Sequence, residues 1–251
     1  MHRFYLPDGI SAEGPIQLPR EVARQLSRVL RMRPGEEIGV FDGSGSQWTV
    51  KLDDVSSRSA EGHVVDVIRP GTEPRVDITL YQSLIDATQF ELVLQKGVEL
   101  GVKRFVPLLT ERVSGAGSTG ASESRRARWA KIVQEAAEQS GRVFVPEVAA
   151  PLALDGAFNK PPTGLFIVPW EGETSRTLRE VLQVPEPGST DAISIVIGPK
   201  GGLTGAEIEY LEERGALPVT LGSRILRAET AAIATVSAVL YEMGELGVAT
   251  S

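Results

Sequence analysis

Hydrophobic positions change their spacing along the chain near Pro74. Before that point, short strand-like runs are bounded by turn-forming residues, and one helix-like segment covers Glu21–Leu30. Many short strands with a single helix are typical of a small β-barrel or sandwich. The segment Arg69–Pro74 has the composition of a linker. The strands predicted in this first part are Arg3–Leu6, Glu37–Phe41, Gln47–Leu52 and His63–Ile68.

After the linker, apolar strand-like runs alternate with segments of helical periodicity. This alternation predicts an α/β fold, with a mainly parallel sheet covered by helices on both faces. We therefore predict two domains, residues 1–73 and residues 74–251. The predicted strands are Val76–Tyr81, Arg104–Leu109, Gly164–Val168, Ile193–Ile197 and Leu217–Leu221. The predicted helices are Ala87–Leu100, Ser124–Gln139, one near Ser175–Leu182, Gly205–Arg214 and Glu229–Met243.

Composition narrows the chemistry that the chain can perform. It has no cysteine, which excludes disulfides, thiolate zinc sites, iron–sulfur clusters and cysteine nucleophiles. Its only histidines, His2 and His63, lie far apart in sequence, so no metal site is expected. No apolar run approaches the roughly 20 residues of a membrane span, and no signal peptide is recognisable, so a cytoplasmic protein is expected.

Arginine is concentrated in the predicted helix of the first domain. The helical periodicity puts Val22, Leu26, Val29 and Leu30 on one side and the arginines on the other. The net charge of −7 argues against a protein that coats nucleic acid, but a local basic surface still allows docking. A second basic stretch, Arg125–Lys131, fits RNA contact and a salt-bridged outer helix face equally well. The first cluster, predicted to contact RNA, is Arg20, Arg24, Arg28, Arg31 and Arg33.

Two strand–glycine–helix units stand out in the second domain. In Ile193–Glu207 an apolar strand enters a glycine-rich turn, and Thr204 and Glu207 have the spacing of a capping box. In Val219–Thr230 a strand again leads through a glycine into a helix. Such turns bring bare backbone close to a ligand, and they form one crevice if the two strands are neighbours. Gly115–Gly120 has the residue spacing of a dinucleotide-binding fingerprint. It does not directly follow a predicted strand, so we interpret it as a loop and not as a nucleotide site.

These segments together resemble the ribosomal RNA small subunit methyltransferase E family, over nearly the whole chain and in the family's order. The resemblance implies a small PUA-like β-barrel followed by a SPOUT-class domain with a C-terminal trefoil knot. It also implies a homodimer that uses S-adenosylmethionine to methylate N3 of a uridine in 16S ribosomal RNA, within the small ribosomal subunit. The segments that carry it are Arg28–Gly35, Phe41–Gly43, Gln95–Val102, Glu138–Arg142, Ile197–Leu203 and Leu221–Ala231.

The resemblance assigns roles to particular residues. Arg227 would stabilise an anion and Glu229 would act as a base or orient the substrate. An ion pair between the two at the helix start is the structural alternative. Arg112 and Arg142 are candidates for contact with RNA, beside Arg24, Arg28, Arg31 and Arg33. Thr230 would cap the last helix or touch the cofactor. The other residues expected around the cofactor are Ile197, Gly198, Gly201, Gly202, Leu221, Gly222, Ile225 and Leu226.

One departure from the family pattern concerns charge. The family usually has Glu after the Gly-Pro pair, where this chain has Lys200, and a cation that points inward would oppose the cationic sulfonium of the cofactor. The stretch Asp86–Phe90 is also less charged than the family leads us to expect.

The absence of cysteine agrees with transfer to nitrogen or oxygen, since methylation at C5 of a pyrimidine generally needs a thiolate. Three alternatives stay open: a knotted ribose 2′-O-methyltransferase, a non-catalytic RNA- or cofactor-binding paralogue, and an NAD-dependent oxidoreductase that uses Gly115–Gly120.

Overall fold

The protein is described by a computed structural model that covers residues 1–11, 14–113, 121–183 and 191–246. Contacts divide the chain into two units. The first consists of Met1–Glu73 together with Ala137–Val145, and the second of Pro74–Ala136 together with Pro146–Ser251. A nine-residue stretch from the later part of the chain thus belongs to the first unit, which hydrophobic patterning does not predict.

The first unit is built on a five-stranded sheet in the order β1-β3-β4-β5-β2. β1 pairs with β3 in parallel, and the other neighbours pair antiparallel. Apolar side chains of the sheet, including Phe4, Ile38 and Val50, form one core. The strand β2 is absent from the sequence prediction, because three residues are too few to show an alternating pattern. The strands are β1 (Arg3–Tyr5), β2 (Ile16–Leu18), β3 (Glu37–Phe41), β4 (Gln47–Val55) and β5 (Ala60–Ile68).

The arginine-rich helix of this unit changes its winding halfway. It begins as the α-helix α1 (Arg20–Arg24) and continues as a π-helical turn over Gln25–Leu30. It ends at Arg31, which has a left-handed φ of 55°. A π turn holds more residues than the 3.6 of an α turn, so positions after Arg24 rotate away from the expected face. The prediction that Val29 is apolar core is therefore wrong: its exposure is 71%, whereas Leu26 is fully buried.

The added segment of the first unit is held by a buried ion pair. The Nη2 of Arg142 donates to Glu73 Oε2 at 2.6 Å, and the backbone N–H of Val143 donates to Glu73 Oε1 at 3.1 Å. Arg3 in turn donates to the carbonyl of Arg142 at 2.7 Å. With an exposure of only 3%, the Arg142 side chain is closed to an RNA phosphate. This burial argues against the RNA contact predicted for Arg142 and assigns it a structural role.

The second unit contains the predicted α/β fold, and its sheet is parallel throughout. The strand order is β12-β10-β11-β6-β7-β8, with β9 also paired to β7. The strands are β6 (Asp77–Ser83), β7 (Arg104–Leu109), β8 (Glu147–Val148), β9 (Leu152–Ala153), β10 (Leu165–Pro169), β11 (Ala192–Ile197) and β12 (Leu217–Val219). The helices are α2 (Ala87–Leu100), α3 (Glu123–Ser140), α4 (Leu154–Ala157), α5 (Leu178–Gln183), α6 (Gly205–Glu212) and α7 (Ala228–Glu242). None of the described helices is long and apolar enough to cross a membrane.

The strand order corrects one expectation. β11 and β12, which precede the two glycine-bearing turns, are not neighbours, because β10 lies between them and pairs with both. Buried β-branched residues in the centre of β11, such as Ile195 and Val196, fit a strand that is covered on both faces. The crevice predicted between the two turns must therefore also include the loop that follows β10.

Candidate active site

Three loops leave the same edge of the sheet of the second unit. They follow β10, β11 and β12, and since these strands are parallel, their carboxyl ends lie side by side. The loop after β10 covers Trp170–Thr177, the glycine loop after β11 covers Gly198–Thr204, and the loop after β12 covers Thr220–Arg227. The ends of open parallel sheets are where such folds bind ligands.

The first cleft, of about 480 Å³, lies between the loop after β10 and the loop after β12. Its walls are partly apolar, with Trp170 from the first loop and Leu221, Ile225 and Leu226 from the second. Gly222 contributes bare backbone in a left-handed conformation, with φ 102°.

The second cleft, of about 550 Å³, lies between the glycine loop and the start of α7. Glycine loop residues Ile197, Gly198, Gly201 and Gly202 line one side, and Arg227 and Glu229 line the other. The two clefts share a wall made of Pro169, Glu171, Ile225, Leu226 and Ala231.

The loop after β10 was not predicted as part of the site. Glu171 lines both clefts, and a side chain built at Gly202, where φ is 72°, would collide with its carboxylate. The sequence feature that could have identified this loop is the predicted strand Gly164–Val168 before it, because any loop at the carboxyl end of a parallel strand is a candidate for ligand contact.

The buried carboxylate of Glu207 holds the glycine loop in place through hydrogen bonds. Thr204 caps α6 and Glu207 closes the predicted capping box, with the Thr204 N–H donating to Glu207 Oε2 at 2.9 Å. The other oxygen of Glu207 accepts the backbone N–H of Glu111 at 2.8 Å. Arg112 Nη1 donates to the carbonyl of Gly201 at 2.9 Å. The loop after β7 is thereby attached to the glycine loop, and Arg112 lies beside the second cleft.

A second carboxylate fixes the loop after β10. Glu173 accepts hydrogen bonds from the N–H of Arg176 at 3.0 Å, the N–H of Ser175 at 2.7 Å and the Ser175 hydroxyl at 2.7 Å. These bonds, the one from Arg176 first, lower the pKa of Glu173 to about 2. The Arg176 carbonyl in turn accepts the N–H of Thr220 at 2.9 Å, which joins this loop to the one after β12.

The two residues expected to do chemistry lie at the start of α7. Arg227 occupies the N-cap position in extended backbone conformation and is exposed, and Glu229 is half-buried in the first turn. Among the described residues no ion pair joins Arg227 to Glu229, so the alternative of a helix-start pair is not observed. Thr230 is exposed, lines neither of the two clefts and does not cap α7.

Lys200 does not project freely into the second cleft. Its ammonium pairs with the carboxylate of Asp86, which lies at the start of α2. The positive charge of Lys200, which was noted in the sequence as a departure from the family pattern, is thus paired with the negative charge of Asp86.

The first unit separately presents a basic surface, which we define as Arg20, Arg24, Arg28, Arg31 and Arg33. All five side chains are exposed. Within the described ranges, none of their guanidinium groups makes a hydrogen bond or an ion pair. The second basic stretch differs, since Arg128 is held by Glu91 at 2.5 and 2.7 Å. This pairing favours the salt-bridged helix face for that stretch.

The Gly115–Gly120 match lies outside the described residues.

Comparison with known proteins gives two family models. The model described as an RNA methyltransferase domain matches residues 72–240, and the model described as an RNA methyltransferase PUA domain matches residues 21–65. Two relatives carry the name ribosomal RNA small subunit methyltransferase E. The protein from Synechocystis sp. is 33% identical over 91% of this chain and 74% of its own length. The protein from Bacillus subtilis is 31% identical over 88% of each chain.

Solved structures show the same likeness. The ribosomal RNA small subunit methyltransferase E from Neisseria gonorrhoeae, bound to S-adenosyl methionine, superposes with a TM-score of 0.86 at 36% identity, over 96% of this chain and 97% of that one. A putative methyltransferase from Legionella pneumophila, in complex with bound cofactor SAM, superposes with a TM-score of 0.83 at 31% identity, over 95% and 96%.

The low pKa of Glu173 predicts a pH dependence of stability. Because its folded pKa is about 2 rather than the ordinary 4.5, its contribution is complete above pH 4.5 and is lost as the pH falls toward 2. In Glu173→Gln the free energy of unfolding should therefore decline less between these pH values than in the unaltered protein, as measured by urea denaturation. Glu212→Gln, on the exposed side of α6, serves as the matched control and should keep the original slope. Equal slopes for all three proteins would contradict the role assigned to Glu173.

Proposed function

Given that this chain belongs to the ribosomal RNA small subunit methyltransferase E family, we propose that it methylates N3 of a uridine in 16S ribosomal RNA with S-adenosylmethionine as methyl donor. The observation that carries the proposal is the pair of adjoining clefts at the carboxyl ends of β10, β11 and β12. Two clefts with a common wall suit a reaction that must bring a donor and an acceptor together.

The residues present fit the proposed donor. Gly202 and Gly222 hold left-handed turns that leave backbone groups open beside the clefts, and a side chain at Gly202 would fill the space next to Glu171. The apolar wall of Leu221, Ile225 and Leu226 suits the flat face of an adenine ring. S-adenosylmethionine supplies an activated methyl group on a positively charged sulfur.

The chain's own residues then have to prepare the acceptor. Uracil N3 carries a weakly acidic proton, and removing it leaves negative charge on the neighbouring carbonyl oxygens. The exposed guanidinium of Arg227 would stabilise that charge at the edge of the second cleft. Glu229, half-buried beside it, would accept the proton or orient the N3–H group.

The RNA would be held by the basic surface of the first unit. Its five exposed guanidinium groups match phosphate geometry, and within the described ranges none is occupied by an acidic partner. Arg112 would add a cation beside the second cleft, with one nitrogen already bound to Gly201.

We extend the proposal to the assembly. The homodimer and the trefoil knot are implied by the resemblance, and so is action on the small ribosomal subunit in the cytoplasm. An exposed side chain of the second unit supports a dimer, since Tyr241 on α7 is 70% exposed and a second copy would cover such a residue. Sedimentation of the full chain at a monomer's rate would exclude the dimer.

The reaction is tested by incubating the protein with labelled S-adenosylmethionine and ribosomal RNA from a strain that lacks its own copy of the enzyme. We expect one methyl group per RNA, mapped by nucleoside mass spectrometry to N3 of a uridine. Arg227→Ala should lower kcat by about 10²-fold or more, because it removes a cation that acts on developing charge. Arg179→Ala, an exposed arginine on α5 away from both clefts, is the control. A product on a ribose would favour the 2′-O alternative, and binding without any product would favour the non-catalytic paralogue.

The RNA surface is tested by the salt dependence of binding. Replacing Arg24 and Arg28 together by alanine should weaken binding of a 16S fragment and lower the slope of log K against log salt by about one to two units. Replacing Arg58 and Arg69 together by alanine removes the same charge from exposed positions of the same unit and should change neither quantity. If both variants lower the slope equally, the surface is not a specific RNA contact.

A further inference from the structure

The start of α2 has the sequence of a capping box that is not formed. Asp86 is the N-cap residue and Gln89 stands three residues later, which is the spacing at which each side chain binds the other's backbone N–H. In the structure Asp86 makes no side-chain cap hydrogen bond, and Gln89 Oε1 is buried with no partner in the described part of the chain. The same unit forms the complete box at Thr204 and Glu207, so the fold does not prevent it.

Gln89 lines the second cleft, whereas Asp86 lies outside its lining and is connected to it through Lys200. The carboxylate of Asp86 pairs with the ammonium of Lys200, and both Lys200 and Gln89 line this cleft. A helix N-terminus without its side-chain cap is less stable than a capped one, so the pairing of Asp86 with Lys200 in place of the α2 backbone requires a reason.

Charge supplies that reason. Lys200 lies in the glycine loop, two residues from Gly202. A free ammonium at the cleft would repel the sulfonium of the proposed methyl donor, because like charges repel across several ångströms when water is partly excluded. The other charged residues that line the second cleft are Glu171, Arg227 and Glu229.

We infer that Asp86 is an electrostatic positioning residue: it holds the ammonium of Lys200 at the rim of the glycine loop and neutralises it, so that the sulfonium of the donor can approach the uracil at the second cleft without repulsion from Lys200. The inference rests on the proposed function, since it concerns the methyl donor of that site.

The test compares two ligands that differ in charge. S-adenosylmethionine carries a cationic sulfur, whereas S-adenosylhomocysteine has the same skeleton with a neutral sulfur and no transferable methyl group. Calorimetric titration of the full chain at low salt gives the ratio of their dissociation constants. In Asp86→Asn, affinity for S-adenosylmethionine should fall about three- to ten-fold relative to S-adenosylhomocysteine, because Lys200 loses its partner.

Further variants separate this role from a structural one. Lys200→Met should shift the ratio in favour of S-adenosylmethionine, and adding Asp86→Asn to Lys200→Met should abolish the penalty seen in Asp86→Asn alone. Asp77→Asn breaks an Asp–Lys pair of similar exposure, between Asp77 at the start of β6 and Lys103 just before β7, and should leave the ratio unchanged.

The outcomes that overturn the inference are distinct. An unchanged ratio in Asp86→Asn, or equal weakening of both ligands, would show that Asp86 acts only on the loop's shape. If Asp86→Asn folds too poorly to be titrated, an unshifted ratio in Lys200→Met overturns the inference equally. Failure of the unaltered protein to bind either ligand would instead refute the proposed function.

Discussion

Parallel pairing of β10 with both β11 and β12 is the constraint on which the site depends. It brings three carboxyl ends, and therefore three loops, to one edge of the sheet. The loops are then joined by backbone hydrogen bonds, from Trp170 to Val219 and from Thr220 to Arg176. Without β10 in the middle, the two glycine-bearing turns would lack the wall that both clefts share.

Two carboxylates hold these loops in place: Glu207 is buried, and Glu173 is partly buried and also lines the first cleft. Glu207 and Glu173 both accept backbone N–H groups, and each fixes a loop whose exposed side faces a cleft. An arrangement fixed before the ligand arrives costs little reorganisation during the reaction. Arg227 and Glu229 are in the opposite situation, because no ion pair between them is found among the described residues. The polar groups thus divide into those that shape the loops and those available for chemistry.

The difference between paired and unpaired basic side chains explains why RNA binding can be proposed for an acidic protein. The chain has a net charge of −7, yet the arginines of the first unit are exposed without acidic partners in the described ranges. In the second unit, Arg128 and Lys200 are instead paired with Glu91 and Asp86. The local field, rather than the total charge, decides where a phosphate backbone docks.

Local physics accounts for what the sequence by itself determined. Helical and strand periodicity, the Thr204–Glu207 capping box and the glycine turns each depend on residues a few positions apart, and the structure forms the capping box and the longer predicted elements. The short elements β2, β8, β9 and α4 were not predicted. Only the tertiary structure decided which strand separates β11 from β12, and thus that Trp170 and Glu171 line the clefts.

Tertiary packing also buried Arg142 against Glu73 and turned Asp86 away from its helix toward Lys200. Val29 lies outside the core because the π turn over Gln25–Leu30 departs from the regular helical periodicity on which the prediction relied. In each case the deciding partner lies far away in sequence or the helix departs from regular winding. Propensity and periodicity describe a residue's neighbours along the chain, whereas these choices depend on which distant groups meet when the sheet assembles.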